Sequence, residues 1–241
     1  MARPIQPDII QAGAQEIGSP KDFRESELTE RPIVAFDFDG TLTTRDSFTS
    51  LLRWKVGPAR FAAGVASLAP DLISYAMTHD RGALKAAAAK RFFGPARRGD
   101  IESAARRFAE SYARDLFRPD AVRVWRRWRD RGARLVIVTA SPEETVAPFA
   151  RGLGADMLIG TRLQFDAQDR FTGHLDGANC RGQEKVRRLR EVFGPDLRLA
   201  AAYGDTSGDE AMLAIADDAG YKVFNGVPMA APHETRRRRR P

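Results

Sequence analysis

Asp37 and Asp39 stand one residue apart in the string Asp-Phe-Asp-Gly-Thr, residues 37 to 41. On an extended chain, residues i and i+2 point the same way, so both carboxylates face one space. Side by side they repel, and a cation or a shared proton is needed to hold them there. A hard cation meets that need, and Mg²⁺ commonly combines one or two carboxylates with phosphate oxygens. Gly40 permits a sharp turn after the pair, and the Thr41 hydroxyl can fix a carboxylate. Surface turns also favour Asp and Gly, so this string alone does not decide the chemistry.

Three further groups could join the pair. Gly204-Asp205-Thr206-Ser207-Gly208-Asp209 follows the apolar run Leu199 to Tyr203. If the two runs are neighbouring strands, Asp205 completes a metal site, while Asp209 near the next helix reads equally as a cap. Thr139 follows Leu135-Val-Ile-Val138 and precedes a helix. Its hydroxyl and the adjacent N–H groups can hold phosphate oxygens, or simply cap that helix. Lys185 sits in the first turn of a helix opening at Gly182, where the helix dipole disfavours a cation. That placement hints that it answers to an anion.

The elements around these residues must bring them together. Ile33 to Phe36, Leu135 to Val138, Met157 to Ile159, Leu197 to Tyr203 and Tyr221 to Phe224 read as strands. Helices over 120–131, 143–153, 183–193 and 210–216 separate them, and Gln164 to His174 reads as a small hairpin. Strands alternating with helices of this length predict an α/β fold, a parallel sheet with helices on both faces. In such sheets, functional groups gather in the crevice at the carboxyl ends of the strands. Asp37/Asp39, Thr139 and Asp205 each lie just past a strand, so they should converge on one rim.

Between the first and second strands the pattern is helical and Ala-rich. Residues 47–115 carry twelve basic and six acidic side chains, a basic module of about +6. The domain reading is therefore a mobile lead-in over 1–30, a core over 31–46 and 116–228, a helical cap over 47–115, and a basic disordered tail over 229–241. The whole chain is +7, and five of those charges are Arg236 to Arg240, leaving +2 elsewhere. The tail could meet nucleic acid or membrane, but its default reading is a solubilising segment, and nucleic acid is not the expected partner. A lone cysteine, Cys180, excludes an internal disulfide. The first residues lack the apolar core of a secretory signal, and no run of about 20 apolar residues exists. A cytoplasmic location is expected.

Taken in order, DFDGTLT, VIVTAS, GQEK and YGDTSGD form a four-part signature. The chain resembles the haloacid dehalogenase-like (HAD) phosphohydrolases over about Ile33 to Phe224. It is similar in particular to their phosphoserine-phosphatase-like branch, which has a Rossmann-like sheet and a helical cap inserted after the first strand. The resemblance implies roles. Asp37 would attack phosphorus and carry an aspartyl-phosphate, while Asp39 would act as acid and then base, with its backbone carbonyl on Mg²⁺. Thr139 would bind the phosphoryl group and Lys185 would offset its charge. Asp37, Asp39 and Asp205 would hold Mg²⁺, with Thr41 and Asp209 supporting them.

The substrate is less legible. Asp46 stands where phosphoserine phosphatases carry a glutamate that reads the substrate's amino end. Gly40 and Gly208 stand where those enzymes usually have Ser and Asn. These departures argue against phosphoserine itself. The strings TTRDSFTSLLRW, ASPEETVAPFA and NCRGQEKVRRL resemble phosphatidylglycerophosphatase C-like and cell-division-associated HAD hydrolases. That implies a lipid phosphate, with a small soluble phosphomonoester or a non-catalytic division regulator as alternatives. The basic cap, Trp54 between Arg53 and Lys55, and apolar Phe61 to Met77 are compatible with peripheral contact with an anionic inner membrane face. Burial of Phe61 to Met77 against the core is the favoured reading, because Pro70-Asp71 break the run. Trp125 and Trp128 read as one helix face packing on the sheet.

Overall fold

A computed structural model of the chain describes residues 31–228. The expectations for 1–30 and 229–241 fall outside the described residues. The described residues open on β1 (Ile33–Phe36) and then run through helices α1 (Ser47–Val56), α2 (Pro58–Ser67), α3 (Ala69–Thr78), α4 (Arg81–Phe93) and α5 (Arg98–Leu116). It continues as α6 (Pro119–Asp130), β2 (Arg134–Pro142), α7 (Glu143–Leu153), β3 (Met157–Thr161) and the small hairpin β4 (Leu163–Phe165) and β5 (Phe171–Leu175). The last elements are α8 (Gln183–Phe193), β6 (Leu199–Gly204), α9 (Glu210–Leu213) and β7 (Ala216–Tyr221).

Five strands form one sheet in the order β3-β2-β1-β6-β7, and every neighbouring pair is parallel. β1 lies between β2 and β6, with Val34 opposite Leu135 and Ala201, and Phe36 opposite Ile137 and Tyr203. Strands covered on both faces need apolar side chains on both, which is why Val34 to Phe36 and Leu135 to Val138 are all buried. Trp125 of α6 is fully buried against Phe36, with ring centroids 5.0 Å apart, and its indole N–H donates to Leu153 O at 3.1 Å. Trp128 donates to the Tyr203 hydroxyl at 3.0 Å, so this helix face does pack on the sheet.

Three elements differ from the sequence reading. The final strand is Ala216–Tyr221, not Tyr221 to Phe224. It has a single strand partner and a largely exposed surface, so a polar run, Ala-Asp-Asp-Ala-Gly-Tyr, can form it. Phe224 instead lays its ring beside Phe36 and Tyr203, at 6.5 and 5.3 Å. α9 stops at Leu213, short of Ala216, where the sequence pattern would end it.

The third difference is the segment Phe61 to Met77, which is largely exposed, with only Gly64 and Leu68 buried. It forms α2 and α3, broken at Leu68, and α3 has no buried residue. Ile73 is 64% and Met77 80% exposed. The space they would need is already filled by Phe48, Leu51, Leu52, Phe92, Phe93, Ile101 and Phe108 from α1, α4 and α5. α2 meets that core where Gly64 sits against the Phe92 ring, where Phe61 stacks on that ring at 5.2 Å, and at its end through the buried Leu68.

Candidate active site

Asp37 follows β1 directly. Its N–H donates to Tyr203 O at 2.9 Å, so the backbone keeps the sheet ladder while the side chain enters the crevice. Phe38 then turns into the core. Gly40 has φ +89°, in the left-handed region, and a Cβ there would collide with the Asp205 carboxylate. The same turn lets Thr41 donate its hydroxyl proton to Asp205 at 3.2 Å. Asp205, at the end of neighbouring β6, is thus brought against the first motif.

Lys185 lies at the centre. Its side chain is 1% exposed, and Nζ donates to Asp37 Oδ1 at 2.6 Å, Asp209 Oδ1 at 2.7 Å and Val138 O at 2.6 Å. Burial opposes its charge, but Asp37 and Asp209 outweigh that and hold it above the ordinary lysine range. Burial pushes Asp37 up to about 7 despite Lys185 beside it. Asp209 moves the other way: burial is outweighed by Lys185 and by bonds from Thr206, so it stays below the usual carboxylate range.

Carboxylate oxygens of Asp37, Asp205 and Asp209 can lie within 4.8 Å of one another. Lys185 bonds Asp37 and Asp209 but not Asp205, so the ammonium offsets only part of the negative charge that the three clustered acids can carry. A divalent cation with oxygen ligands matches that deficit, and Mg²⁺ fits the all-oxygen donor set. The Asp39 carboxylate is not in this cluster; the role expected for it toward metal runs through its backbone carbonyl.

Asp39 is instead held at both oxygens. Ser47 N donates to Oδ1 and the Ser141 hydroxyl to Oδ2, each at 2.6 Å. Burial, then the nearby Asp46, push its carboxyl up to about 6, with the Ser141 and Ser47 bonds opposing. Thr139 is buried and its oxygen accepts from Ser141 N at 3.0 Å, which fixes the irregular end of β2, where the register against β3 shifts between Val138 and Pro142. Asp46 caps α1 by accepting from Thr49 N at 2.6 Å, and is exposed.

A cavity of about 200 Å³ collects Asp37, Asp39, Asp46, Thr139, Lys185 and Asp209. Asp205 adjoins it through Asp37 and Asp209. Sequence reasoning missed three cations on its wall: Arg81 and Lys85 from α4, and Arg181. Lys85 reaches across to donate to Ala140 O. Burial lowers its pKa, while Asp39 and Asp46 raise it. Its only sequence signal is as one of two lysines on an Ala-rich helix. Arg181 donates to Thr206 Oγ1 at 3.1 Å and Ser207 Oγ at 3.0 Å, in the space that a Cβ on Gly208 would occupy. Ser141, which holds Asp39, reads in the sequence only as a helix cap.

A doubly wound parallel sheet with an acidic, lysine-bridged crevice at its carboxyl edge places the chain among the α/β folds that bind ligands at the carboxyl ends of their strands. The family model described as haloacid dehalogenase-like hydrolase matches residues 34–214, and the chain belongs to that family. It is 61% identical over 203 residues to protein CicA of Caulobacter vibrioides, covering 84% of this chain and 91% of that protein. It is 32% identical over 185 residues to a phosphoserine phosphatase of Halobacterium salinarum, covering 75% of this chain and 81% of the relative. A solved structure of a protein of unknown function from Bordetella pertussis Tohama I superposes with a TM-score of 0.62 at 22% identity, covering 77% of this chain and 87% of that one. That likeness confirms the fold.

Proposed function

We propose that this chain is a Mg²⁺-dependent phosphomonoesterase working through an aspartyl-phosphate on Asp37. The observation that carries the proposal is the contrast between two buried acids on one cavity. Asp37 is bonded to Lys185, which aims one oxygen and opposes the burial that pushes its carboxyl up to about 7, so that the nucleophile is held by a cation. Asp39 accepts instead from Ser47 N and the Ser141 hydroxyl, with no cation bonded to it among the described residues, and its carboxyl, pushed up to about 6, can hold and release a proton near neutrality.

In the first half-reaction an Asp37 oxygen attacks phosphorus and the bond to the ester oxygen breaks. The departing alkoxide takes the proton from Asp39. In the second, the Asp39 carboxylate accepts a proton from water, whose oxygen attacks phosphorus. The Asp37–phosphorus bond breaks, releasing inorganic phosphate and restoring the carboxylate. Thr139 and the N–H groups of its turn bind phosphoryl oxygens, and Lys185 offsets their charge. Asp37 and Asp205, with Asp209 beside them and the Asp39 carbonyl, would hold Mg²⁺, which supplies further neutralisation of the phosphoryl group.

The cavity admits a phosphate and a few more atoms, so the rest of a larger substrate lies at its mouth. Arg81, Lys85 and Arg181 there favour a monoester with a second anionic group, as in a lipid phosphate such as phosphatidylglycerophosphate. The Halobacterium relative supports a second reading, a small soluble ester of the phosphoserine kind.

The test is Mg²⁺-dependent phosphate release from phosphatidylglycerophosphate, phosphoserine and sugar phosphates, with Asp37→Asn as control. Borohydride reduction during turnover should convert Asp37 to homoserine. Turnover that survives Asp37→Asn would rule out the covalent route. Absence of turnover on every ester with folded protein would favour a non-catalytic regulator.

A further inference from the structure

We propose that the α2–α3 surface docks on an anionic lipid bilayer, with the cavity mouth held at the headgroup level. Docking goes beyond the proposed reaction and does not depend on it, because vesicle binding is read without turnover. From Phe61 to Thr78 the only charged side chain is Asp71, which is half-buried. Exposed helices of soluble proteins normally carry Lys, Arg or Glu on their outer face. Here Leu72, Ile73, Ala76 and Met77 share one face at i, i+1, i+4 and i+5, and all four are exposed, as is Val65 on α2. A contiguous apolar face of this kind marks a partner surface.

Charge selects the partner. Arg60 stands exposed in the first turn of α2. Arg91 is bonded to Ser67 at the end of α2 at 2.8 Å, and Arg81 opens α4 just beyond α3. Each basic side chain near an anionic leaflet strengthens attraction roughly fivefold. A second copy of this chain would instead bring another insert of about +6 against the first, and the two would repel.

The geometry ties the surface to the cavity. α3 ends at Thr78, His79 turns the chain in a left-handed conformation, and Asp80 caps α4 by accepting from Ala83 N at 2.9 Å. Arg81, on the cavity wall, lies four residues after Met77, so their Cα atoms are within about 14 Å. A helix lying in the bilayer interface sinks about 5–10 Å into the headgroup boundary. Seating Ile73 and Met77 there would place Arg81 and the mouth beside the phosphates.

The experiment is co-sedimentation of the full-length Asp37→Asn protein with vesicles of phosphatidylcholine alone, or of phosphatidylcholine with phosphatidylglycerol. Binding should require the anionic lipid. Ile73→Glu with Met77→Glu should lower the partition coefficient at least roughly tenfold. The same pair of substitutions, placed in the otherwise native chain, should leave turnover of a water-soluble monoester unchanged. Met77→Trp should add an emission component, over that of the native tryptophans, that shifts to the blue on adding anionic vesicles. Binding unchanged by the double substitution would assign it to the terminal arginines and overturn the proposal. So would the absence of that shift in the Met77→Trp protein, or a dimer in sedimentation that the double substitution dissolves.

Discussion

Lys185 Nζ lies 2.6 Å from Asp37 Oδ1, and the two side chains are 1% and 9% exposed. With Asp209 and Val138 O as the other acceptors, all three ammonium protons are placed. The ion pair is therefore an orienting device for the nucleophile, and it also neutralises part of a buried acidic cluster.

Lys185→Met should separate those two roles. It leaves Asp37 and Asp209 facing each other without a cation, which costs about 3–5 kcal/mol of stability when one partner of a buried pair is removed. Added Mg²⁺ should recover part of that loss in chemical denaturation. Turnover of a phosphomonoester should still fall by roughly 10²–10³, because the charge beside the phosphoryl group is gone. Recovery of turnover along with stability would show that Lys185 is only structural.

Metal affinity should depend on pH through Asp37. Its carboxyl titrates near 7, and only the ionised form ligates. Affinity for Mg²⁺ should be high above pH 7 and fall as pH drops through that value, with proton uptake on metal release. Calorimetry in buffers of different ionisation enthalpy would measure both. Asp37→Asn should lower affinity and remove most of this pH dependence.

Arg181 and Gly208 form a matched pair, since the guanidinium fills the space over the glycine. Gly208→Asn should expel Arg181 from the cavity wall. For a monoester with a second anionic group, KM should rise roughly tenfold, the value of one charge-assisted hydrogen bond, with kcat little changed. Arg181→Ala should do the same, and the double substitution should add little more. Additive effects would show that the two residues act separately.

The strands that carry the site were legible because burial on both faces leaves no choice of side chain. Val34 to Phe36, Leu135 to Val138 and Leu199 to Tyr203 are apolar runs ending in Asp37, Thr139 and Asp205. Strand β7 was misplaced because an edge strand needs no such run, and the more apolar Tyr221 to Phe224 drew the reading away from it. Lys85 and Arg181 were invisible for another reason. Each enters the cavity from an element whose own pattern is satisfied without it, so only the folded insert and the Gly208 gap reveal them. The exposure of Ile73 and Met77 was misjudged because apolarity predicts a partner but does not say whether that partner is the chain's own core.

Glu144 gives the last prediction. It lies in the first turn of α7, with Oε1 3.0 Å from Arg98 of α5, and its buried Oε2 has no hydrogen-bond partner among the described residues. Burial pushes its carboxyl up to about 7, with Arg98 opposing. The folded state therefore holds a proton that the unfolded chain has already released at its ordinary value of 4.5. Stability from this group is greatest at low pH and is lost as pH rises from about 4.5 to 7, by at most about 3 kcal/mol. Arg98 also stacks on Phe165 at 3.9 Å and bonds Asp169 at 3.2 Å, so it clasps the helical insert to the sheet domain from both sides. Glu144→Gln keeps the shape and removes the titration. Urea denaturation across this range should show a flatter pH slope in the variant, with the two proteins diverging most near pH 7, where Glu144 is ionised in the native protein. Parallel slopes would mean that Glu144 is already ionised in the folded state at pH 5.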